Sequence, residues 1–383
     1  MTRTYDRIVI GGGAMGLATA WKLAESGIRV LLLERFTPHH HRGASHGATR
    51  NLNNAYREGF YLDLYDEAFQ LWRGLEELSG RQLLTLCGLV THGDAQIVHD
   101  TRGSLLTRNV SVDLLSSEEA ERRWRGMRFD GDVLHSAHAG RIHADVALDV
   151  LAELARHHGA TLIYGQQVVD IDRLGGGVRV SAKDEHDNIS TYEAAGAVVA
   201  AGAWSGKVLG GIVELPALTV TEEHPAHFQV RQEFRDALWP SFNHMTPEIP
   251  GKDGRIGAAY GMLTPGEGVK VGFHLTGTQV DPDRRPFRAS DAARVALSDY
   301  VARWFPGLEP GSGVEVSCTY TSTESERFVL DTVEEITIGA GFSGHGFKFV
   351  PAIGRILADA SLGVSTPPRE FRLEQHAASD AQR

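Results

Sequence analysis

The chain has little cysteine: Cys87 and Cys318 are the only two among its 383 residues. Two thiols cannot build a disulfide framework, so a reducing, cytosolic compartment is expected. Long hydrophobic runs are missing as well. None approaches the ~20 apolar residues that cross a bilayer, so no membrane partner is expected. The first strand starts within a few residues of Met1, which leaves no room for a signal peptide. Basic excess is also absent. The formal net charge is −11 and the Lys and Arg residues are scattered, which argues against nucleic acid as a partner. Neither repeats nor low-complexity linkers occur. The remaining composition is that of a globular protein, 42% hydrophobic and 23% charged, with a length that suits two packed units.

The richest signal lies between Asp6 and Glu34. An apolar run, Ile8-Val9-Ile10, enters Gly11-Gly12-Gly13-Ala14-Met15-Gly16, and a helix-period segment leads to a second apolar strand, Val30 to Leu33. In this pattern Gly11 permits a tight turn, Gly13 lets the backbone approach a pyrophosphate, and Gly16 lets helix and strand pack closely. Ala14 and Met15 open the helix, whose free N–H groups and positive dipole end suit phosphates. Glu34 is placed to accept hydrogen bonds from a ribose, and its charge disfavours a 2′-phosphate. FAD and NAD both remain open at this point, with NADP least expected.

Further along, Tyr61 to Leu78 reads as an amphipathic helix and Thr85 to Thr91 as a strand. Asp145 to His158 is another helix, followed by strands at Thr161–Tyr164, Val168–Ile171 and Val178–Ala182. A third apolar strand ends in Ala201-Gly202-Ala203-Trp204, suited to close approach to a cofactor. From Glu222 to about Tyr320 short alternating runs broken by Gly and Pro predict an antiparallel sheet. The last unit returns to α/β style, with a strand at Ile336–Ile338 and a helix from about Val350 to Leu362. The expected fold class is α/β: a Rossmann-like dinucleotide-binding domain, with a second, mostly antiparallel-sheet α+β substrate domain. The first would be discontinuous, from 1–84, 145–218 and 322–383; the second would take 85–144 and 219–321.

A second glycine-rich loop, Gly341-Phe342-Ser343-Gly344-His345-Gly346-Phe347-Lys348-Phe349, lies between the last strand and helix. Its glycines permit a nest of backbone N–H groups suited to negative charge. With this loop, the fingerprint and Glu34, the segments Gly43–Arg50, Ala55–Gly59, Ala201–Trp204 and Cys318-Thr319-Tyr320 complete a pattern. The chain resembles, over nearly its full length, the FAD-dependent amine oxidases of the D-amino-acid-oxidase superfamily, of the monomeric sarcosine oxidase and N-methyltryptophan oxidase type.

The resemblance implies FAD, bound covalently through Cys318, and oxidation of a secondary amine or amino acid. Hydride would pass to flavin N5, the imine would hydrolyse, and O2 would become hydrogen peroxide. Partners would be a small amine and O2, with the protein a monomer or small homo-oligomer. The resemblance puts Lys270 near the flavin, where a cation would stabilise superoxide. His274 follows on the same face of that strand. Tyr260 and Tyr320 become pocket tyrosines, Arg50 lies against the flavin ring, and Lys348 helps hold a substrate carboxylate. Arg35, Ser45, His46, Thr49, Val168, Gly344, His345 and Gly346 complete the implied cofactor contacts. Cys87, without such context, reads as core. The triplet His39-His40-His41 invites a metal reading, yet no Cys or acidic set accompanies it; no metal is expected.

The pattern departs from the sarcosine type in two places. A second arginine three residues after Arg50 is replaced by Asn53, and a basic pair is replaced by Glu222-Glu223. Both changes are read as lowering positive charge around the pocket, which predicts poor turnover of sarcosine and a larger, neutral or more cationic amine. The rival readings are a flavin dehydrogenase serving a protein partner, a non-catalytic FAD-binding subunit and, from the fingerprint alone, an NAD-dependent dehydrogenase.

Overall fold

The computed structural model describes residues 3–251 and 254–380. Its first layer is an eight-stranded sheet whose centre is Arg3–Ile10, hydrogen-bonded in parallel to Ile189–Val199 on one side and Val30–Leu33 on the other. Thr161–Ile163 continues the parallel run, and Ile336–Ala340 joins Ile189–Val199, so both ends of the chain meet in one sheet. Because side chains alternate along a strand, Val9, Leu32 and Val198 face a core shared with the helices Ala14–Glu25, Ala144–His157 and Val350–Ser361. Ile8, Ile10, Leu31, Leu33 and Val199 face the opposite core. A parallel sheet buried on both faces reads as continuous apolar runs, and Val30–Leu33 is buried at every position.

The second eight-stranded sheet runs Val314–Glu315, Ala226–Phe228, Gly268–His274, Ile256–Thr264, Ser241–Pro250, Leu89–Gly93, Val133–Ser136, Val112–Leu115. It is antiparallel except where Ser241–Pro250 pairs with Leu89–Gly93 in parallel. Phe242, Val269 and Val271 pack there against Leu297, Tyr300, Val301 and Trp304 of a helix, Asp291–Trp304. The strand-only reading of 222–320 missed that helix. Its signals were present: Ser290 caps it by accepting from Ala293 N, and its apolar contacts recur at i, i+3, i+4 and i+7. The expected strand Thr85–Thr91 is in fact two, Leu84–Thr85 and Leu89–Gly93, which enter different sheets. Cys87 is half-buried rather than core. Among the described residues no helix is long and apolar enough to cross a membrane.

The helix Gly59–Ser79 joins this framework to the second glycine loop. Trp72, fully buried, donates its indole N–H to the Lys348 carbonyl at 2.8 Å and lies parallel to Phe347. Trp72→Ala removes both the packing and the donor, and the cost expected for such a truncation is about 3–5 kcal/mol. Urea denaturation measures it; a loss below about 1 kcal/mol would show that Trp72 does not anchor the loop.

Candidate active site

The strand Arg3–Ile10 ends at the fingerprint turn, and the helix Ala14–Glu25 begins with Gly13 at its N-cap, a residue with no side chain to cap it. The close approach is severe at one point: a Cβ on Gly16 would lie 1.8 Å from the Gly11 carbonyl oxygen. Ala14 N donates to Ser45 Oγ at 3.0 Å, which brings the Gly43–Arg50 segment over the turn. Glu34 is buried; its carboxylate accepts from Gly12 N at 2.6 Å and Phe36 N at 2.8 Å. Burial pushes this carboxyl up, and the amides pull it back. Each oxygen keeps a lone pair for a ribose hydroxyl.

From this turn a single cavity of about 1150 Å³ runs toward the second sheet. Arg35, Val168, Ala201, Gly202 and Trp204 line its first part. Arg35 and Trp204 are held together by Asp283, which accepts from the Trp204 indole at 2.8 Å and pairs with Arg35. The histidine triplet does not converge on one point. His39 meets Asp149 at 2.8 Å, His40 stands 3.6 Å from Glu34, and His41 packs on His46. Burial lowers His40 to about 4 and His46 to about 3, which leaves both rings neutral.

The far part of the cavity gathers Arg50, Lys270, His274, Tyr260, Cys318, Tyr320 and the loop from Gly344 to Lys348. Lys270 is buried and donates to the Thr49 carbonyl at 3.1 Å; burial, and then repulsion from Arg50, lowers it to about 7. Lys348, also buried, donates to Tyr56 Oη at 2.9 Å and the His345 carbonyl at 2.7 Å, and burial lowers it to about 7. Arg50 donates to the carbonyls of Thr49, Ala44 and His46. The partners of all three cations are therefore carbonyls or a phenol, never a carboxylate. Tyr320 donates to Tyr260 at 3.4 Å, and burial drives both phenols up, so they stay protonated. Gly344 takes a left-handed φ of 76°, and a Cβ there would meet the Tyr320 ring at 2.2 Å. Burial, and then Lys348, lowers His274 to about 4, so its imidazole is a neutral base. Cys318, half-buried, opens the strand Cys318–Ser322 with Sγ 4.0 Å from the Ala44 carbonyl.

These residues fit a flavin dinucleotide by their own chemistry. The fingerprint turn sets a helix N-terminus, with its positive dipole end, at the mouth of the cavity where phosphates would lie. The buried lysines have no carboxylate hydrogen-bond partner, a place an electron-rich ring would fill. Sequence reasoning did not pick out Tyr56 by itself, although it lies inside the quoted Ala55–Gly59 motif; it bridges Lys348 and His345 Nδ1, the latter at 3.1 Å. It also missed Asn243 and Thr91, which belong to no local motif. Asn53 contacts Asn243 at 3.4 Å, and Asn243 contacts Thr91 at 3.5 Å, so neutral groups stand where the clamp was expected. Of the acidic pair, Glu222 is the correction, because Arg285 takes up its charge. Glu222 is buried against Ser317, Phe287 N and Arg285, and Glu223 accepts from Thr221 Oγ1 and Gly277 N. Neither is among the residues lining the cavity, yet the Glu223 charge still reaches it, helping, after burial, to raise the Tyr260 and Tyr320 phenols.

Comparison with known proteins agrees with this geometry. The family model described as FAD dependent oxidoreductase matches residues 6–360. The chain is 35% identical to the peroxisomal sarcosine oxidase of Homo sapiens, covering 94% of this chain and 92% of that one. It is 29% identical to the N-methyl-L-tryptophan oxidase of Salmonella dublin, covering 97% and 100%. Among solved structures it is similar to NikD, an unusual amino acid oxidase essential for nikkomycin biosynthesis, in its open form, with a TM-score of 0.83 at 29% identity over 96% of each chain.

The two buried lysines make stability depend on pH. An unfolded lysine titrates near 10.5, whereas Lys270 and Lys348 titrate near 7 in the fold. Between these values the unfolded chain binds more protons, so stability of the cofactor-free protein rises with pH. The rise is at most about 1.4 kcal/mol per pH unit for each lysine, and the penalty is complete below about pH 7. Lys270→Met should flatten the increase between about pH 7 and 9.5 in urea denaturation. Equal slopes in the variant and the parent would contradict the buried, depressed lysine.

Proposed function

We propose that this chain, which belongs to the FAD-dependent oxidoreductase family, is an oxidase of secondary N-alkyl amines or amino acids larger than sarcosine, with its flavin bound covalently through Cys318. The observation that carries this reading is the convergence of Arg50, Lys270, Lys348 and Cys318 on the cavity that begins at the Gly11–Gly16 turn. FAD, when bound, supplies the hydride acceptor and returns the electrons to dioxygen as hydrogen peroxide. The cofactor would lie mainly on residues 1–84, 145–218 and 322–383, with 85–144 and 219–321 closing the substrate side.

The protein's own part is to bind, orient and set protonation. His274, a neutral base near pH 7, and the protonated Tyr260–Tyr320 pair offer an amine uncharged hydrogen-bonding partners. That favours the unprotonated amine, whose carbon donates hydride. Lys348 orients whatever anionic group the substrate carries, with Tyr56 and the His345 carbonyl fixing its Nζ. Lys270, held against the Thr49 carbonyl, presents the positive charge that favours reduction of oxygen. Asn53 gives a neutral hydrogen bond where a cation would clamp a carboxylate. A missing charged hydrogen bond costs about 1.5–3 kcal/mol, roughly ten- to a hundred-fold in affinity, and a substrate as small as sarcosine has little other surface to offset it.

Two outcomes follow. Asn53→Arg should raise kcat/KM for sarcosine by roughly ten- to a hundred-fold while lowering it for bulky N-alkyl amines, both read by peroxide release. Efficient sarcosine turnover by the unmodified protein would remove the assigned role of Asn53. Lys270→Met should slow reoxidation of the reduced protein by oxygen roughly ten-fold or more in stopped flow, with anaerobic reduction less affected. Undiminished oxygen reactivity would end the case for Lys270.

A further inference from the structure

Behind the substrate cavity, on the opposite face of two of its strands, three metal-type ligands meet outside the site described above. His92 and His244 are register partners across the parallel pair Leu89–Gly93 and Ser241–Pro250. Their neighbours Thr91 and Asn243 line the cavity, so by strand alternation the two imidazoles project to the other side. There the rings stack at 4.1 Å, and Asp130 Oδ1 reaches both, 2.9 Å from His92 Nδ1 and 3.3 Å from His244 Nε2. All three ligand atoms lie within 4.8 Å of one another.

The hydrogen bonding of this cluster is incomplete. His244 is fully buried, and its Nε2 makes no well-aligned hydrogen bond, meeting Asp130 Oδ1 at 3.3 Å. Its Nδ1 lies 2.8 Å from the Tyr300 hydroxyl. With the proton on Nε2 the ring points it at Asp130 and accepts from Tyr300; with the proton on Nδ1 it donates to Tyr300 and turns the Nε2 lone pair toward the carboxylate, the arrangement a cation between them would favour. An imidazole that ligates through one nitrogen while its other N–H is held by a neighbour is the usual outer-shell arrangement in metal sites. Trp304 and Phe129 wall the cluster, with ring centres 4.4 Å from His244 and 5.0 Å from His92. The Asp130 side chain is 48% exposed, which leaves a path for an ion and a position for water.

We propose that His92, Asp130 and His244 form a divalent-cation site, suited to Zn2+, that clamps the two strands carrying Thr91 and Asn243 to the substrate. Two imidazoles, a carboxylate and a water make a four-coordinate set, with metal bonds of about 2.0–2.2 Å. A cation lying in both ring planes requires the rings to tilt out of their parallel stack. The site is independent of the oxidase reading, because none of its ligands lines the cavity.

The test is titration of Zn2+ into the chelator-treated, flavin-loaded full chain by isothermal calorimetry, with thermal unfolding in parallel. The expected result is one saturable site per chain and a zinc-dependent rise in the unfolding midpoint. Asp130→Asn should weaken zinc binding roughly ten-fold or more and abolish the zinc-dependent rise, measured against the variant's own zinc-free midpoint. His244→Gln should do the same to binding. The Asp130 variant changes a half-exposed side chain, so it stays informative if the buried His244 variant does not fold. No saturable zinc binding would overturn the proposal. So would zinc binding that survives Asp130→Asn unchanged, which would assign the metal to surface imidazoles such as His39–His41.

Discussion

Three cationic side chains, Arg50, Lys270 and Lys348, surround the far part of one cavity, and their hydrogen-bond partners are carbonyls or a phenol rather than carboxylates. Burial makes such an arrangement costly, and it is the constraint on which the rest of the site depends. The protein eases it in two ways. It lowers both lysines to about 7, and it gives every cation carbonyl or hydroxyl acceptors. What is left is an electropositive site that favours a ligand which becomes more negative as it is reduced. On the proposed reading an amine would enter the same space as a neutral base, because His274 and the two tyrosines are themselves uncharged.

The fold supplies the means of assembling those groups. Arg50 comes from the short strand Thr49–Leu52, Lys270 from the second large sheet, Cys318 from a strand paired with Thr219–Glu223, and Lys348 from a loop entering the last helix. The first and last parts of the chain meet in one sheet, since Ile189–Val199 accepts Arg3–Ile10 on one edge and Ile336–Ala340 on the other. That junction puts the fingerprint turn and the second glycine loop on one cavity. Trp72 then pins the loop from behind through the Lys348 carbonyl.

How much of this was legible depended on range. The Gly11–Gly16 turn and Glu34 could be read directly, because strand, turn, helix and strand are contiguous and each glycine answers a local steric demand. Lys270 was harder. An alternating strand offers two faces, and only the resemblance to a family chose the cavity side. Glu222 was misread because its strand position says nothing of Arg285, which lies far along the chain yet takes up its charge. The helix Asp291–Trp304 was hidden among Gly- and Pro-rich neighbours that favoured strands. His92, Asp130 and His244 come together only through a parallel pairing and a loop, so no spacing could have announced them. Local steric rules are written in the sequence; the partner of a buried charge is a property of the fold.

The most direct measurement is the absorption spectrum of the purified protein before and after acid precipitation. Yellow colour retained in the pellet, and lost to the supernatant in Cys318→Ala, is the result expected of a flavin lying between the two glycine loops and bonded to that thiol. Colour released by acid from the unmodified protein would contradict the bond, and a folded, colourless protein would contradict the assignment of the cavity itself.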